Sequence, residues 1–272
     1  MSHTLGPRPS SATAPSIWYA EVLVPNRKSA GSPGPRSPAV TAQSCLVTVQ
    51  IRRSSDRFVD REPGRRTHHA FSFGAHYDPE WLSFGPMVCH DDHLLSSGRG
   101  FEDHPHSDLE IVTYVVAGTL MHRDSLGTDG ELTAGEVAVL SAGSGVQHQE
   151  VASDAGAARF VQVWLRPDEV GTTPAYRRGS AAAAVPGAGL VPVAIEVGVA
   201  GASYGVARLA AGEKLILPVA RRLHVYVASG ALARSSLAAP LEAGDAFCFV
   251  DEPHREVTAG APTELLVWSF TS

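Results

Sequence analysis

The sequence has no run of about 18 apolar residues, the length a membrane-crossing helix needs, so nothing in it reads as a membrane span. Cysteine is scarce. Cys45, Cys89 and Cys248 lie far apart and form no CxxC, which excludes a disulfide framework and points to a reducing compartment. There is no excess of positive charge: the net charge is −6, and the basic pairs Arg65–Arg66 and Arg177–Arg178 are short. No nucleic acid or acidic membrane surface is therefore expected as a partner. The opening residues, "MSHTLGPRPSSATAPS", lack a basic segment followed by an apolar one, so they do not read as a signal peptide, and a cytoplasmic location is expected. Sustained helical spacing is missing too, since no segment keeps apolar residues on one helical face over three turns.

What the chain does have is short apolar runs broken by turn residues. "LVTVQI", "EIVTYVV", "EVAVL", "RFVQVWL", "VAIEV", "LHVYVA", "AFCFV" and "ELLVWSF" are rich in β-branched and aromatic residues and have strand length. With 272 residues, 44% of them hydrophobic, there is material for one large core or two ordinary ones. Many short strands with close turns predict an all-β barrel or sandwich. Residues 109–151 are echoed by 214–257: Tyr114, Gly118, Gly135 and His148 find counterparts in Tyr226, Gly230, Gly244 and His254. Two copies of one β-unit predict two similar β-barrel (jelly-roll) domains. The first would span 45–170 and the second 186–272, with a Gly-, Ala- and Pro-rich linker at 171–185. Residues 1–44, rich in Ser, Pro, Ala and Gly, read as a disordered leader, with "IWYAEVLVP" (Ile17–Pro25) unassigned.

The chemistry concentrates in the first copy. "GFEDHPHSDLE" sets His104 and His106 two apart, and "GSGVQHQEV" sets His148 and Glu150 two apart. Residues i and i+2 of a strand share a face. Two such pairs on neighbouring strands would aim three imidazoles and one carboxylate at one point, a donor set suited to a divalent first-row metal. Gly143 and Gly145 let the backbone turn tightly into the second pair.

These residues also carry a resemblance. Gly98, then His104-x-His106, then Glu110, with "AG" at 117–118, resembles the first cupin motif. "AGSGVQH" after Gly135 resembles the second, with Ser141 where many cupins carry proline. More narrowly, "HAFSFGAHYDPEW", "GRGFEDHPHSDLEIVTYVVAGTLMHRDSLG" and "LSAGSGVQHQE" resemble the pirin family, and within it the bacterial, quercetinase-like branch. That resemblance implies a bicupin fold with one metal in the N-terminal domain, iron first, with nickel, copper, manganese, cobalt or zinc as alternatives. By position, the implied ligands are His104, His106, His148 and Glu150. Glu110, the carboxylate ligand of ordinary cupins, becomes a supporting residue. The implied activity is a dioxygenase that cleaves quercetin or a related flavonol with O2, with Glu150 as the general base. A second implication is a non-enzymatic, redox-responsive regulator that binds a protein partner.

In the second copy the first histidine pair is replaced by Ile216 and Pro218, so no complete metal site is expected there, and His254 with Glu256 reads as an exposed turn. Of the remaining histidines near the first copy (His68, His69, His76, His90, His93 and His122), one or two are expected to line a pocket. Asp103 precedes His104 and should point away from the site. Phe73, Phe84, Met87 and Trp164 read as core, and Cys89 and Cys248 as buried thiols.

Overall fold

Most of the β-branched and aromatic runs form strands, but "VAIEV" (193–197) does not: the local strand is Leu190–Pro192 and ends before it. The helical content among the described residues is the three-residue 3-10 turn Ser54–Asp56. The computed structural model describes residues 49–272. The leader 1–44, Ile17–Pro25 and Cys45 lie outside the described residues.

Three larger antiparallel sheets carry the fold. A seven-stranded sheet runs in the order Ala175–Ser180, Glu136–Ser141, Glu110–Ala117, Ala158–Leu165, Met87–Leu95, Arg65–His69 and Phe58–Glu62. A four-stranded sheet runs Gly100–His106, Val146–Ala152, Thr119–Asp124 and Asp129–Thr133. Leu95, Val115, Leu120, Leu132 and Phe160 pack together as the interior between these two. The second domain is built on a six-stranded sheet: Val49–Arg52, Ala246–Val250, Arg222–Ser229, Thr263–Phe270, Ala202–Leu209 and Leu190–Pro192. Its interior holds Leu215, Leu223, Val225, Phe247, Phe249 and Val267. No sheet among the described residues closes on itself, so each domain is a jelly-roll sandwich of facing sheets.

The largest apolar cluster joins the two domains. Val112, Tyr114, Val161 and Val163 of the seven-stranded sheet pack with Tyr204, Val206, Tyr226, Leu266 and Trp268 of the six-stranded one. Both large sheets are thus covered on two faces, which is why their strands read as near-continuous apolar runs.

The internal repeat appears in detail. Strands Glu110–Ala117 and Arg222–Ser229 are offset by 112 residues, and so are the glycines that follow them, Gly118 (φ 76) and Gly230 (φ 77). A Cβ at Gly118 would collide with the carbonyl oxygen of Ala157, and one at Gly230 with that of Pro262. Left-handed φ and close backbone approach both demand glycine at this point of each copy. The equivalent tyrosines reach across the junction. Tyr226 donates to Asp92, which also accepts from Arg159. Tyr114 donates to Glu264 (2.8 Å), which also accepts from Arg208 (2.7 Å). The two triads have the same composition with acid and base exchanged between strands.

Two segments fall elsewhere than the sequence places them. Val49–Arg52 belongs to the second domain's sheet, beside Ala246–Val250, because Val49 and Ile51 complete that domain's interior. Within 171–185, Ala175–Ser180 is an edge strand paired with Glu136–Ser141, which leaves Gly171–Pro174 and Ala181 onward as connections.

Candidate metal centre

Strand Val146–Ala152 lies between Gly100–His106 and Thr119–Asp124, and register decides what meets. His148 is directly opposite His104 on one side and Asp124 on the other, while Glu150 is opposite His122. Directly opposed residues share a face, as do residues two apart. His104, His106, His122, Asp124, His148 and Glu150 therefore all project from one side of the four-stranded sheet, towards the interior.

The distances suit an ion. Ligand atoms of His104, His106 and His148 all lie within 4.8 Å of one another, and so do those of His122, His148 and Glu150. His148 Nε2 is 4.0 Å from Glu150 Oε2. Both groups share His148, so they describe one centre. In the second domain Ile216 is exposed, His254 is exposed, and Glu256 pairs with Lys214. No ligand group occurs there among the described residues.

Local backbone features shape the centre. Pairing steps from His148–His104 to Glu150–Phe101, which leaves an extra residue on the outer strand as a β-bulge. There the Glu102 carbonyl accepts from His104 Nδ1 (2.7 Å), which directs Nε2 to the interior. Gly100 sits where a Cβ would strike the Glu150 carbonyl oxygen, so only glycine lets the two strands approach.

The electrostatics fit a cation. Burial, aided by His148 and His104, pushes His106 down to about 3. Burial also pushes His148 down to about 4, against the pull of Glu150. At neutral pH both rings hold free lone pairs. His106 Nε2 and both ring nitrogens of His148 are buried and have no hydrogen-bond partner. Such atoms are costly unless something accepts their lone pairs, and a metal ion would. Burial alone would raise the Glu150 carboxyl, but His148, His122 and the Gln162 hydrogen bond outweigh it and hold Glu150 below the usual carboxylate range. Three imidazoles and one buried carboxylate are thus a chemically fitting donor set.

The opposite sheet supports Glu150. Thr113 donates to Oε1 (3.2 Å) and Gln162 Nε2 to Oε2 (2.7 Å), while Gln162 Oε1 accepts from Trp164 Nε1 (2.9 Å). The Trp164 ring stands edge-on to His106 with centroids 4.9 Å apart, and Phe73 meets Trp164 at 5.5 Å. His122 bonds Asp124 (3.0 Å) and stacks on Tyr176 at 4.4 Å.

Among the histidines singled out in the sequence, His122 is the one that joins this centre. His69 lies between Asp91 and Asp60, His76 bonds Asp60, His93 bonds Thr67, and His90 packs against His224 between the domains. Asp103 is exposed, and Phe84, Met87, Cys89 and Cys248 are buried. Trp164 differs from expectation, since it borders the centre, while Phe73 packs between Trp164 and His69. Gln162 and Trp164 share parity with the interior residue Phe160, and a glutamine inside "RFVQVWL" was the available signal. Glu110 lies on the other face of its strand with Val112 and Tyr114, where it accepts from Ser141 (2.7 Å). The left-handed Asp108 (φ 53) breaks the alternation between His106 and Glu110.

Comparison with known proteins agrees with this geometry. The family model described as Pirin matches residues 50–165. A Mycobacterium bovis protein, provisionally named a quercetin 2,3-dioxygenase, is 38% identical over 234 residues, which cover 82% of this chain and 96% of that protein. The chain belongs to the pirin family. Among solved structures, the bacterial pirin YhhW from Escherichia coli in complex with nickel(II) superposes with a TM-score of 0.74 at 27% identity, over 82% of this chain and 98% of that one. A quercetin 2,3-dioxygenase from Acinetobacter baumannii shares the fold, with a TM-score of 0.66, 22% identity and coverage of 81% and 85%. The two-domain all-β architecture is therefore the pirin bicupin fold, and the expected resemblance is met.

Proposed function

We propose that this pirin is a metal-dependent dioxygenase that opens a flavonol such as quercetin with O2, and that His104, His106, His148 and Glu150 hold its single divalent ion, iron first. The observation that carries the reading is the buried set of partnerless nitrogens on His106 and His148, with His148 4.0 Å from the Glu150 carboxylate. Relatives named quercetin 2,3-dioxygenase support the substrate class, among them an Escherichia coli protein 36% identical over 131 residues.

When bound, the ion supplies a Lewis acid that stabilises a deprotonated substrate hydroxyl beside O2. The protein's own residues do the rest. Glu150, ionised and fixed by Thr113 and Gln162, is the acceptor for the flavonol 3-hydroxyl proton. Trp164, backed by Phe73, offers an apolar wall beside His106, and Tyr176 offers another beside His122. These surfaces suit a planar aromatic substrate and exclude water from the centre. We also propose a cytoplasmic location, on the ground that the described cysteines, Cys89 and Cys248, are free buried thiols.

Aerobic incubation with quercetin, following loss of flavonol absorbance, tests the proposal. Turnover that needs the metal and disappears in His148→Ala supports it. A fully loaded protein that leaves quercetin unchanged would sink it.

A further inference from the structure

A second polar group lies between the two domains, apart from the metal centre. Strand register sets Arg52 beside Ala246, and Ala246 beside Tyr226, on the interdomain face of the six-stranded sheet. Neighbouring strands are about 4.8 Å apart, so a single methyl group separates the arginine from the tyrosine. Arg57 enters the same space. Its guanidinium lies 4.9 Å from the Tyr226 ring centroid, its Nε donates to the Gly244 carbonyl (2.8 Å), and its Nη1 is 3.5 Å from His90 Nδ1. His90 packs on His224 with ring centroids 4.7 Å apart. Arg52 and Arg57 are only 5% and 4% exposed, and the two histidines 1% each.

Among the described residues, no carboxylate accepts a hydrogen bond from either arginine. Asp92, the acid of this layer, is already taken by Arg159 and Tyr226. Asp56 and Asp78 reach Arg52 only through space. The rings of Trp81 and Phe58, 4.6 and 5.4 Å from the Arg52 guanidinium, offset part of its charge. Asp92 likewise acts on Arg57 only through its charge. Two buried cations with no carboxylate hydrogen-bonded to either are unfavourable.

The atoms left without partners say what is missing. They are Arg52 Nε and Nη2, Arg57 Nη2, His90 Nε2 and His224 Nδ1. Guanidinium nitrogens only donate, and an Arg57 N–H directed at His90 Nδ1 puts the His90 proton on Nε2. Four of these five atoms are therefore donors. Water would bring two more protons and no charge, whereas an anion is all acceptor.

We propose that this interdomain layer is a site for a small inorganic anion, held by Arg52 and Arg57 with His90 as a further donor. Burial and the Arg57 charge hold His224 down at about 3, and burial, His224 and Arg57 hold His90 well below its usual range. Both rings stay neutral, so neither adds to the repulsion, and His90 adds a donor. The anion would tie strand Val49–Arg52, the turn that follows it and strand Met87–Leu95 into one junction.

The test uses the full-length protein, melted at constant ionic strength in sodium gluconate with chloride, bromide or phosphate substituted in steps. A bound anion raises the midpoint by roughly 3–6 °C per tenfold increase once its concentration exceeds Kd. Arg57→Gln should lose this response while keeping its metal. A response to halides alone assigns a halide site, and a response to phosphate as well assigns room for an oxyanion. Should Arg57→Gln fail to fold, crystals of the unaltered protein grown in bromide should show an anomalous peak between Arg52 and Arg57. A salt response that Arg57→Gln retains in full, or bromide crystals with only water in this layer, overturns the proposal.

Discussion

Replacing Gln162 by leucine separates support of the metal centre from the centre itself. Gln162 donates one of the two side-chain hydrogen bonds that reach the buried Glu150 carboxylate, and it accepts from Trp164. Leucine keeps much of the side-chain volume and removes both interactions, together with the bond that Gln162 Nε2 donates to Thr113 Oγ1 (3.1 Å). A hydrogen bond to a charged group contributes about 1.5–3 kcal/mol, and for a chain of this size each kcal/mol is roughly 2–4 °C in melting temperature. The metal-free variant should therefore melt roughly 3–12 °C lower. Glu150, held only by Thr113, would also have to be reoriented when an ion binds, so affinity should fall about 10- to 100-fold. Competition with a chelator of known affinity measures this second effect, and thermal unfolding of the metal-free protein measures the first. A variant that melts lower yet binds metal as tightly as the parent would show that Gln162 supports the fold only. An unchanged melting temperature would refute the reasoning altogether.

Other outcomes follow from the same geometry. His104→Ala combined with His148→Ala should reduce bound metal from one ion per chain to none by elemental analysis. Glu150→Gln should lose metal and flavonol turnover together, whereas Glu110→Gln, on the opposite face and bonded to Ser141, should keep its metal and turn over near normally. Gly100→Ala forces a Cβ into the Glu150 carbonyl and should cost about 1–3 kcal/mol, read by urea unfolding. His69 has its pKa raised: burial opposes this, but the hydrogen bond and charge of Asp91, followed by those of Asp60, outweigh it. Its folded pKa thus exceeds the unfolded value near 6.5, so its stabilising contribution is complete below about pH 6.5 and is lost as pH rises through the folded pKa. Urea unfolding between pH 6 and 9 should show this loss, and Asp91→Asn should flatten it.

The strands were readable because a half-buried or doubly covered strand leaves a local trace in its own residues. The repeat was readable because Tyr114, Gly118 and their partners occupy positions that tolerate little else. His104 with His106, and His148 with Glu150, could be paired from parity alone, and the fold brings them to one sheet face. What escaped was set by distant pairing. Nothing local to Val49–Arg52 says that its neighbour is Ala246–Val250, almost two hundred residues on. Trp164 looked like core because its strand is apolar on both faces, and only the register against Met87–Leu95 and Glu110–Ala117 turns it towards His106. The orientation of Glu110 rests on a single left-handed residue, Asp108, whose conformation no spacing rule supplies.

The exchanged tyrosine triads change what the second domain is for. It holds no ligand group of its own among the described residues, yet Glu264 and Arg208 grip Tyr114, and Tyr226 grips Asp92, on the sheet whose other face presents Thr113 and Gln162 to Glu150. This copy serves as the anvil against which the sheet of the other is held. Cutting it away would strand Tyr114 and the Asp92–Arg159 pair in water and loosen the sheet behind Glu150.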